Sequence, residues 1–230
     1  MTGTKPGTAS EPEPGTYRGV VLSQVPKNDY ALKLMAHIFT DYLQVTDGIV
    51  VDVGCGRGDQ MEALAALGYE VIGIDREAGP NVTHVCDFAE APLPLEDNSV
   101  DFVFSKSVIE HLYLPQISHY MSEIKRILKP GGHVIIFTPD WIYCWDDFYD
   151  GFTHVTPFTS TSLEVCLKMN GFEQVQTDIV IQLPSTWHSK VMRFLADVTR
   201  VLPLSKKWGK WIRWSKERQA IGIGRKSSEN

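Results

Sequence analysis

The chain of 230 residues is 43% hydrophobic and 22% charged, with a formal net charge of −6. This length and composition predict an ordinary globular protein, with one domain and a sizeable core. The acidic balance argues against broad binding of nucleic acid, because a phosphate backbone attracts a basic surface.

Targeting segments and cysteine pairs are not evident in the sequence. The N-terminus has no apolar signal region, and no run approaches the roughly 18 apolar residues of a membrane-spanning helix. The four cysteines lie far apart and form no metal-ligand pairs; they are Cys55, Cys86, Cys144 and Cys166. We therefore expect reduced thiols, no metal site and a cytoplasmic location.

The elements predicted in chain order begin with a polar segment. Residues 1–18 are rich in Thr, Gly, Pro and Glu and predict a disordered tail, which leaves 19–230 as a single domain. Apolar residues at helical spacing predict a helix over 29–43. From Asp47 onward predicted strands and helices alternate, which favours a parallel sheet with helices on both faces. The expected class is α/β, with a doubly wound, Rossmann-like sheet.

A glycine-rich turn follows the first predicted strand. The apolar run ends in Gly54-Cys55-Gly56-Arg57-Gly58, and a helical pattern begins at Asp59. Glycines let the backbone turn sharply and approach a ligand closely, and the helix N-terminus that follows offers N–H groups to an anion. The next predicted strand ends in Asp75, and an acid at that point typically binds a ribose diol. These features predict a site for a nucleoside-bearing cofactor.

The spacing of the glycines separates the candidate cofactors. Dinucleotide sites use G-x-G-x-x-G, whereas this chain has G-x-G-x-G with Asp52 two residues before the first glycine. An acid there would lie unfavourably close to a pyrophosphate, but it suits a cofactor with an ammonium group. S-adenosylmethionine (SAM) carries such a group, together with a ribose and an adenine.

This block, with Gly73-Ile74-Asp75, resembles the class I SAM-dependent methyltransferases, and in particular small-molecule methyltransferases of type 11. Residues 98–112 resemble the fourth strand of that family and the loop after it, and residues 123–138 resemble its next helix, turn and fifth strand. The resemblance implies a sheet of about seven strands, mostly parallel with an antiparallel last strand.

The resemblance also implies how SAM is held. Asp52 and the glycine loop hold the methionine end, and Asp75 binds the ribose hydroxyls. Arg76 either stacks near the adenine or is an exposed arginine at a helix cap. The implied cofactor-binding residues are Asp52, Gly54, Cys55, Gly56, Gly58, Asp75, Arg76, Asp87 and Phe88 (for adenine) and Ser105 (for the methionine part).

Residues 140–159 form an aromatic and acidic segment after the fifth predicted strand. They are expected at the carboxyl edge of the sheet, where open α/β sheets bind ligands. His154, in a Gly-Phe-Thr-His pattern typical of small-molecule family members, is the first candidate for a general base, and His111 is the second. Alternatively, His154 makes a hydrogen bond that fixes the loop, and His111 lines the cofactor pocket.

Residues 184–216 are predicted to be a helical insertion before the last strand. They contain eight basic residues and one acid, a local balance of +7 in an acidic chain. Basic faces opposite apolar residues and tryptophans are typical of helices that bind a membrane surface. Two other interpretations stay open, namely a hairpin packed on the domain and a wall of the acceptor pocket.

The acceptor is inferred by exclusion and from the aromatic segment. There is no Asn/Asp-Pro-Pro-Tyr motif for base amino groups and no Pro-Cys nucleophile. We therefore expect O-methylation of a small-molecule or lipid-linked acceptor such as a glycan, polyketide or quinone precursor. Three alternatives remain: a non-catalytic SAM-binding partner protein, a dinucleotide-dependent oxidoreductase, and a nucleic-acid methyltransferase that uses the basic insertion.

Overall fold

The computed structural model describes residues 29–204 and 206–228. The predicted tail at 1–18 lies outside the described residues, as do residues 19–28 of the predicted domain. Seven strands are described: β1 (Ile49–Val53), β2 (Glu70–Asp75), β3 (His84–Val85), β4 (Val100–Lys106), β5 (Leu128–Pro139), β6 (Phe172–Ile181) and β7 (Arg218–Lys226).

All seven strands belong to one sheet, in the order β3-β2-β1-β4-β5-β7-β6. β7 runs antiparallel to both of its neighbours, β5 and β6, whereas β1 to β5 pair in parallel. The predicted α/β sheet, mostly parallel with an antiparallel last strand, is confirmed.

Helices cover both faces of the sheet, as the alternation predicts. Within the described ranges the α-helices are α1 (Tyr30–Ala36), α2 (Asp59–Ala66), α3 (Leu114–Ile127), α4 (Trp141–Cys144), α5 (Ser160–Met169), α6 (Lys190–Val201) and α7 (Lys210–Lys216). The helix expected over 29–43 is α-helical in α1 and continues as a π-helix over His37–Tyr42.

The core has two layers because successive side chains of a strand point to opposite faces. On β5, Val134 and Ile136 join the cluster that contains α3 and α5, whereas Ile135 and Phe137 join the cluster that contains α1 and α2. Burial on both faces explains why these strands read as continuous apolar runs rather than as alternating ones.

The sheet order places the carboxyl ends of β1 and β4 side by side. From β1 the chain moves outward to β2 and β3, and it then returns to start β4 on the other side of β1. Such a reversal leaves a crevice at the carboxyl edge, where open α/β sheets bind ligands. The glycine loop follows β1, and the turn that holds His111 follows β4.

The segment 140–159 folds over this edge and is not one continuous loop, because it contains α4 and a 3-10 turn at Phe148–Asp150. The buried Asp140 carboxylate accepts hydrogen bonds from Ile142 N at 2.9 Å and from Ser160 N at 2.8 Å. Asp140 therefore ties the start of the segment to the residue that follows its end.

The insertion at 184–216 is helical, as predicted, and consists of α6, α7 and two short 3-10 turns. Ala196 of α6 packs with Ile181, Leu183 and Trp214 in a small core of its own at the end of β6. Over the residues with described structure, none of the helices has the length and apolar character that crossing a membrane requires.

Candidate functional site

The glycine loop turns sharply at the carboxyl end of β1. Gly54, Gly56 and Gly58 all have positive φ angles, of 79°, 54° and 81°. A Cβ on Gly54 would lie 2.2 Å from Cγ2 of Val108, in the turn after β4. The loop therefore needs glycine both for its backbone conformation and for its close approach to the neighbouring turn.

Asp75 connects the glycine loop to the end of β2. Its carboxylate accepts hydrogen bonds from Gly56 N at 2.8 Å and from Glu77 N at 3.0 Å. In addition, Gly54 N donates to the Ile74 carbonyl at 2.8 Å. The acid that sequence reasoning assigned to the ribose is thus fixed at the carboxyl edge, beside the loop. The neighbouring Arg76 is exposed.

Asp52 is buried at the end of β1, with only 2% of its surface exposed. Its Oδ2 has no hydrogen-bond partner among the described residues. Burial, and then the charge of Asp75, raise the pKa of Asp52 to about 7, whereas Lys106 opposes the shift. A buried carboxylate oxygen without a hydrogen-bond partner is costly, and a ligand ammonium would supply a donor for Oδ2 and a second positive charge besides that of Lys106. The residues present therefore fit SAM.

The remaining predicted cofactor residues have varied positions. Cys55 is buried inside the loop, and Asp87 is exposed after β3. Phe88 is buried in the core, with its ring 5.7 Å from that of Tyr120. Ser105 is buried at the end of β4 and accepts a hydrogen bond of 2.7 Å from the Tyr120 hydroxyl.

The two candidate bases lie side by side, with ring centroids 4.8 Å apart. Nδ1 of His154 donates to the Phe148 carbonyl at 2.7 Å, and Nδ1 of His111 donates to the Thr153 carbonyl at 3.1 Å. Burial lowers the pKa of His111, its hydrogen bond to the Thr153 carbonyl opposes that shift, and the charge of Arg76 adds to it. His154 thus both fixes its loop and, as the neutral tautomer, carries its lone pair on Nε2.

Glu110 is a residue that the sequence analysis did not single out. Its side chain is fully buried, Oε2 accepts from the Thr138 hydroxyl at 3.1 Å, and Oε1 has no partner among the described residues. Burial raises its pKa to about 7. Its backbone carbonyl accepts from Val155 N and Thr156 N, so the 140–159 segment is tied directly to this turn.

Among residues 29–204 and 206–228, two groups of side chains have a composition that binds metals. One atom each from Glu110, His111 and His154 lies within 4.8 Å of the others, and the same holds for His37, Asp41 and His188. The first group includes both candidate bases. The expectation that the protein has no metal site stays a prediction.

The similarity to known proteins covers the part of the chain that contains the glycine loop, Asp75 and the turn after β4. The family model of a methyltransferase domain matches residues 51–136. A probable S-adenosylmethionine-dependent methyltransferase of Mycolicibacterium smegmatis is 37% identical over 102 residues, which are 40% of this chain and 38% of that protein. The chloroplastic tocopherol O-methyltransferase of Arabidopsis thaliana is 36% identical over 104 residues, which are 39% of this chain and 29% of that protein. The matches thus span well under half of these two relatives.

A solved structure extends the similarity to nearly the whole fold. A SAM-dependent methyltransferase from Archaeoglobus fulgidus superposes with a TM-score of 0.61 at 21% identity, covering 85% of this chain and 94% of that one. The resemblance inferred from the sequence is confirmed. Residues 51–136 match the family model of a methyltransferase domain, and the chain shares its fold with a solved SAM-dependent methyltransferase.

Proposed function

We propose that the protein is a methyltransferase that uses SAM to methylate a hydroxyl group of a small-molecule or lipid-linked acceptor. The observation that carries this proposal is the buried Asp52 carboxylate, whose Oδ2 has no partner among the described residues. Asp52 would bind the ammonium of the methionine part, and Asp75 would accept hydrogen bonds from the ribose hydroxyls. A dinucleotide, with a pyrophosphate near Asp52, fits this charge poorly.

The chemistry asks little of the protein beyond alignment and proton removal. Bound SAM supplies a methyl group on a positively charged sulfur, which is a good leaving group. The protein must hold the acceptor oxygen in line with the methyl carbon and the sulfur, and such alignment is worth effective molarities of roughly 10⁵ M or more. As the C–O bond forms and the C–S bond breaks, the hydroxyl proton must move to a base.

His154 is the proposed base. Because its Nδ1 donates to the Phe148 carbonyl, Nε2 is the atom that accepts the hydroxyl proton. His111, held by the Thr153 carbonyl, lies against the His154 ring and helps to keep its orientation. A base of this kind contributes roughly 10²–10⁴-fold in rate.

The preference for an oxygen acceptor with apolar character has two supports. The 140–159 segment exposes Trp145, Tyr149 and Phe152, which offer apolar and ring-stacking contacts to an acceptor. One relative is named as a tocopherol O-methyltransferase. Glycans, polyketides and quinone precursors are the acceptor classes to screen first.

Calorimetric titration with SAM, S-adenosylhomocysteine and NAD tests the cofactor. We expect the first two to bind and NAD to bind far more weakly. Asp75→Ala should abolish SAM binding, whereas Glu70→Ala, which removes an exposed acid at the start of the same strand, should leave it unchanged. Binding of NAD alone, or of no ligand, would overturn the proposal.

Turnover separates an enzyme from a SAM-binding partner protein. The acceptor classes above are screened with SAM that carries a labelled methyl group. Transfer of label to an acceptor hydroxyl supports the proposal. Tight SAM binding with no transfer to any of these classes would favour a non-catalytic role, and label on RNA or DNA would favour a nucleic-acid methyltransferase.

A further inference from the structure

Helix α6 presents its most apolar side to solvent. Val191, Phe194, Leu195, Val198 and Val201 recur at helical spacing and are between 38% and 69% exposed. We refer to these five residues as the outward face. The inner side of the helix buries only small residues, Ala196 and Thr199. A surface helix normally turns its apolar stripe to the core, so this orientation is the reverse of the usual one.

Polar contacts hold the helix in this orientation. Asp197 accepts a hydrogen bond of 2.7 Å from the buried Arg218 of β7. The Arg200 guanidinium lies 5.2 Å from the centre of the Tyr143 ring, and Arg193 donates to the Ile179 carbonyl at 3.4 Å. Rotating the helix to bury the outward face would break these contacts. These contacts therefore keep the apolar side of α6 turned away from the described part of the domain.

The residues after α6 extend the exposed apolar surface and add positive charge. Leu202, Trp208 and Trp211 are exposed. The exposed basic residues of this insertion include Lys190, Lys207, Lys210 and Arg213. Exposed apolar patches of this kind mark interaction sites, and the tryptophans and basic residues match the composition of helices that lie in a membrane interface.

We propose that the outward face of α6, together with Trp208 and Trp211, docks on the surface of an anionic phospholipid bilayer. The charge of the surface favours this occupant. The 184–216 insertion has a balance of +7, whereas the whole chain carries −6. A second copy packed on this face around a twofold axis would bring the same basic residues together, whereas anionic headgroups neutralise them. The inference goes beyond the proposed enzymatic activity and does not depend on it.

Vesicle flotation tests the proposal directly. Wild-type protein is mixed with vesicles of phosphatidylcholine alone or of phosphatidylcholine and phosphatidylglycerol in equal parts, at low and at high salt. We expect binding to the anionic vesicles that weakens with salt and little binding to the neutral ones. Phe194→Ser/Val201→Ser should reduce the bound fraction at least about tenfold, because it removes two of the apolar groups that would enter the interface.

Matched variants separate the surface from general effects. Val165→Ser/Met169→Ser removes two exposed apolar side chains from α5 instead, and binding should not change. Lys207→Glu/Lys210→Glu should abolish the salt-sensitive part of the binding. Circular dichroism and SAM titration of each variant show that the domain is intact.

Three results would overturn the proposal. The first is that wild-type protein stays unbound to anionic vesicles at low salt. The second is that the α6 and α5 variants lose binding equally. The third is a self-association, measured by sedimentation, that Phe194→Ser/Val201→Ser abolishes in a protein that binds no vesicles, since the surface would then be an interface between two copies.

Discussion

Gly54 shows how single residues build the site, because its backbone has a φ of +79° and its missing Cβ leaves room for Val108. We predict that Gly54→Ala lowers the free energy of unfolding by the cost of a left-handed alanine, about 1–2 kcal/mol, plus about 1–3 kcal/mol for the steric overlap. SAM binding should be lost with it. Urea denaturation and calorimetry measure the two effects.

Gly68 provides the control for that substitution. It also has a positive φ, of 98°, but a Cβ there would meet no atom within 4 Å. Gly68→Ala should therefore cost only the backbone term, about 1–2 kcal/mol, and leave SAM affinity intact. Equal losses of stability in the two variants would show that Val108 moves aside and that the loop does not need the close approach.

The proposed base makes a prediction about rate without a change in binding. His154→Ala should lower kcat by roughly 10²–10⁴-fold and leave the SAM dissociation constant unchanged, because the ring is assigned to the acceptor and not to the cofactor. His111→Ala should have a smaller effect, since His111 is proposed only to orient its neighbour. Steady-state kinetics with an identified acceptor measures both, and an unchanged kcat in His154→Ala would leave this histidine with only its loop-fixing hydrogen bond.

At the residue scale, sequence reasoning found the positions whose type is constrained by the backbone or by charge. Three alternate glycines, with Asp52 before them and Asp75 on the next strand, predicted the loop that the structure contains. Glu110 was missed because its sequence neighbourhood does not reveal burial. That burial arises when residues far along the chain, Val155 and Thr156, bond to its carbonyl.

At the scale of elements, an ion pair between Asp197 of α6 and Arg218 of β7 should stabilise the position of α6, and this can be tested. The Arg218 side chain is 4% exposed and its partner Asp197 is 50% exposed. Asp197→Ala would leave a buried guanidinium without this acceptor. The free energy of unfolding should therefore fall by roughly 1–3 kcal/mol. We predict that hydrogen exchange becomes faster for the α6 amides by a larger factor than for the amides of β1 and β4.

A second ion pair provides the comparison. Glu164 and Lys168 on α5 form a pair in which neither side chain is buried, with exposed fractions of 37% and 57%. Removing Lys168 with Lys168→Ala should change the free energy of unfolding by no more than about 0.5 kcal/mol. If Asp197→Ala had an equally small effect, the outward orientation of α6 would not depend on this contact.

The elements themselves were largely predictable, but their arrangement was less so. Alternation of strand and helix patterns predicted the layers. The position of β7 between β5 and β6 depends on pairings between distant residues, such as Ile135 with Ile223, that local patterns do not encode. The sequence also left open whether the apolar side of α6 faces the core or the solvent. Amphipathic periodicity shows which side of a helix is apolar, but not what packs against that side.

At the scale of the whole molecule, the buried Asp52 links stability to pH. Its pKa is raised from the ordinary value of 3.8 to about 7 in the folded protein. The folded state therefore binds the proton more tightly than the unfolded chain. The protonated carboxyl stabilises the fold fully below the unfolded pKa, and this stabilisation is lost as the pH rises through the folded pKa. The thermal midpoint of Asp52→Asn, relative to that of wild-type protein without ligand, should rise progressively across this interval.

Cofactor binding should depend on pH in the opposite direction. Below about pH 7 the Asp52 carboxyl is largely protonated and neutral, so it pairs poorly with an ammonium group. SAM affinity of the wild-type protein should therefore increase with pH, by up to about tenfold per unit between about pH 6 and about pH 7, and then level off. Asp52→Asn should bind SAM weakly with a flat profile, and calorimetry across this range measures both. A wild-type affinity that does not change with pH would mean that Asp52 is not the partner of the ammonium group, even if the stability difference follows the predicted slope.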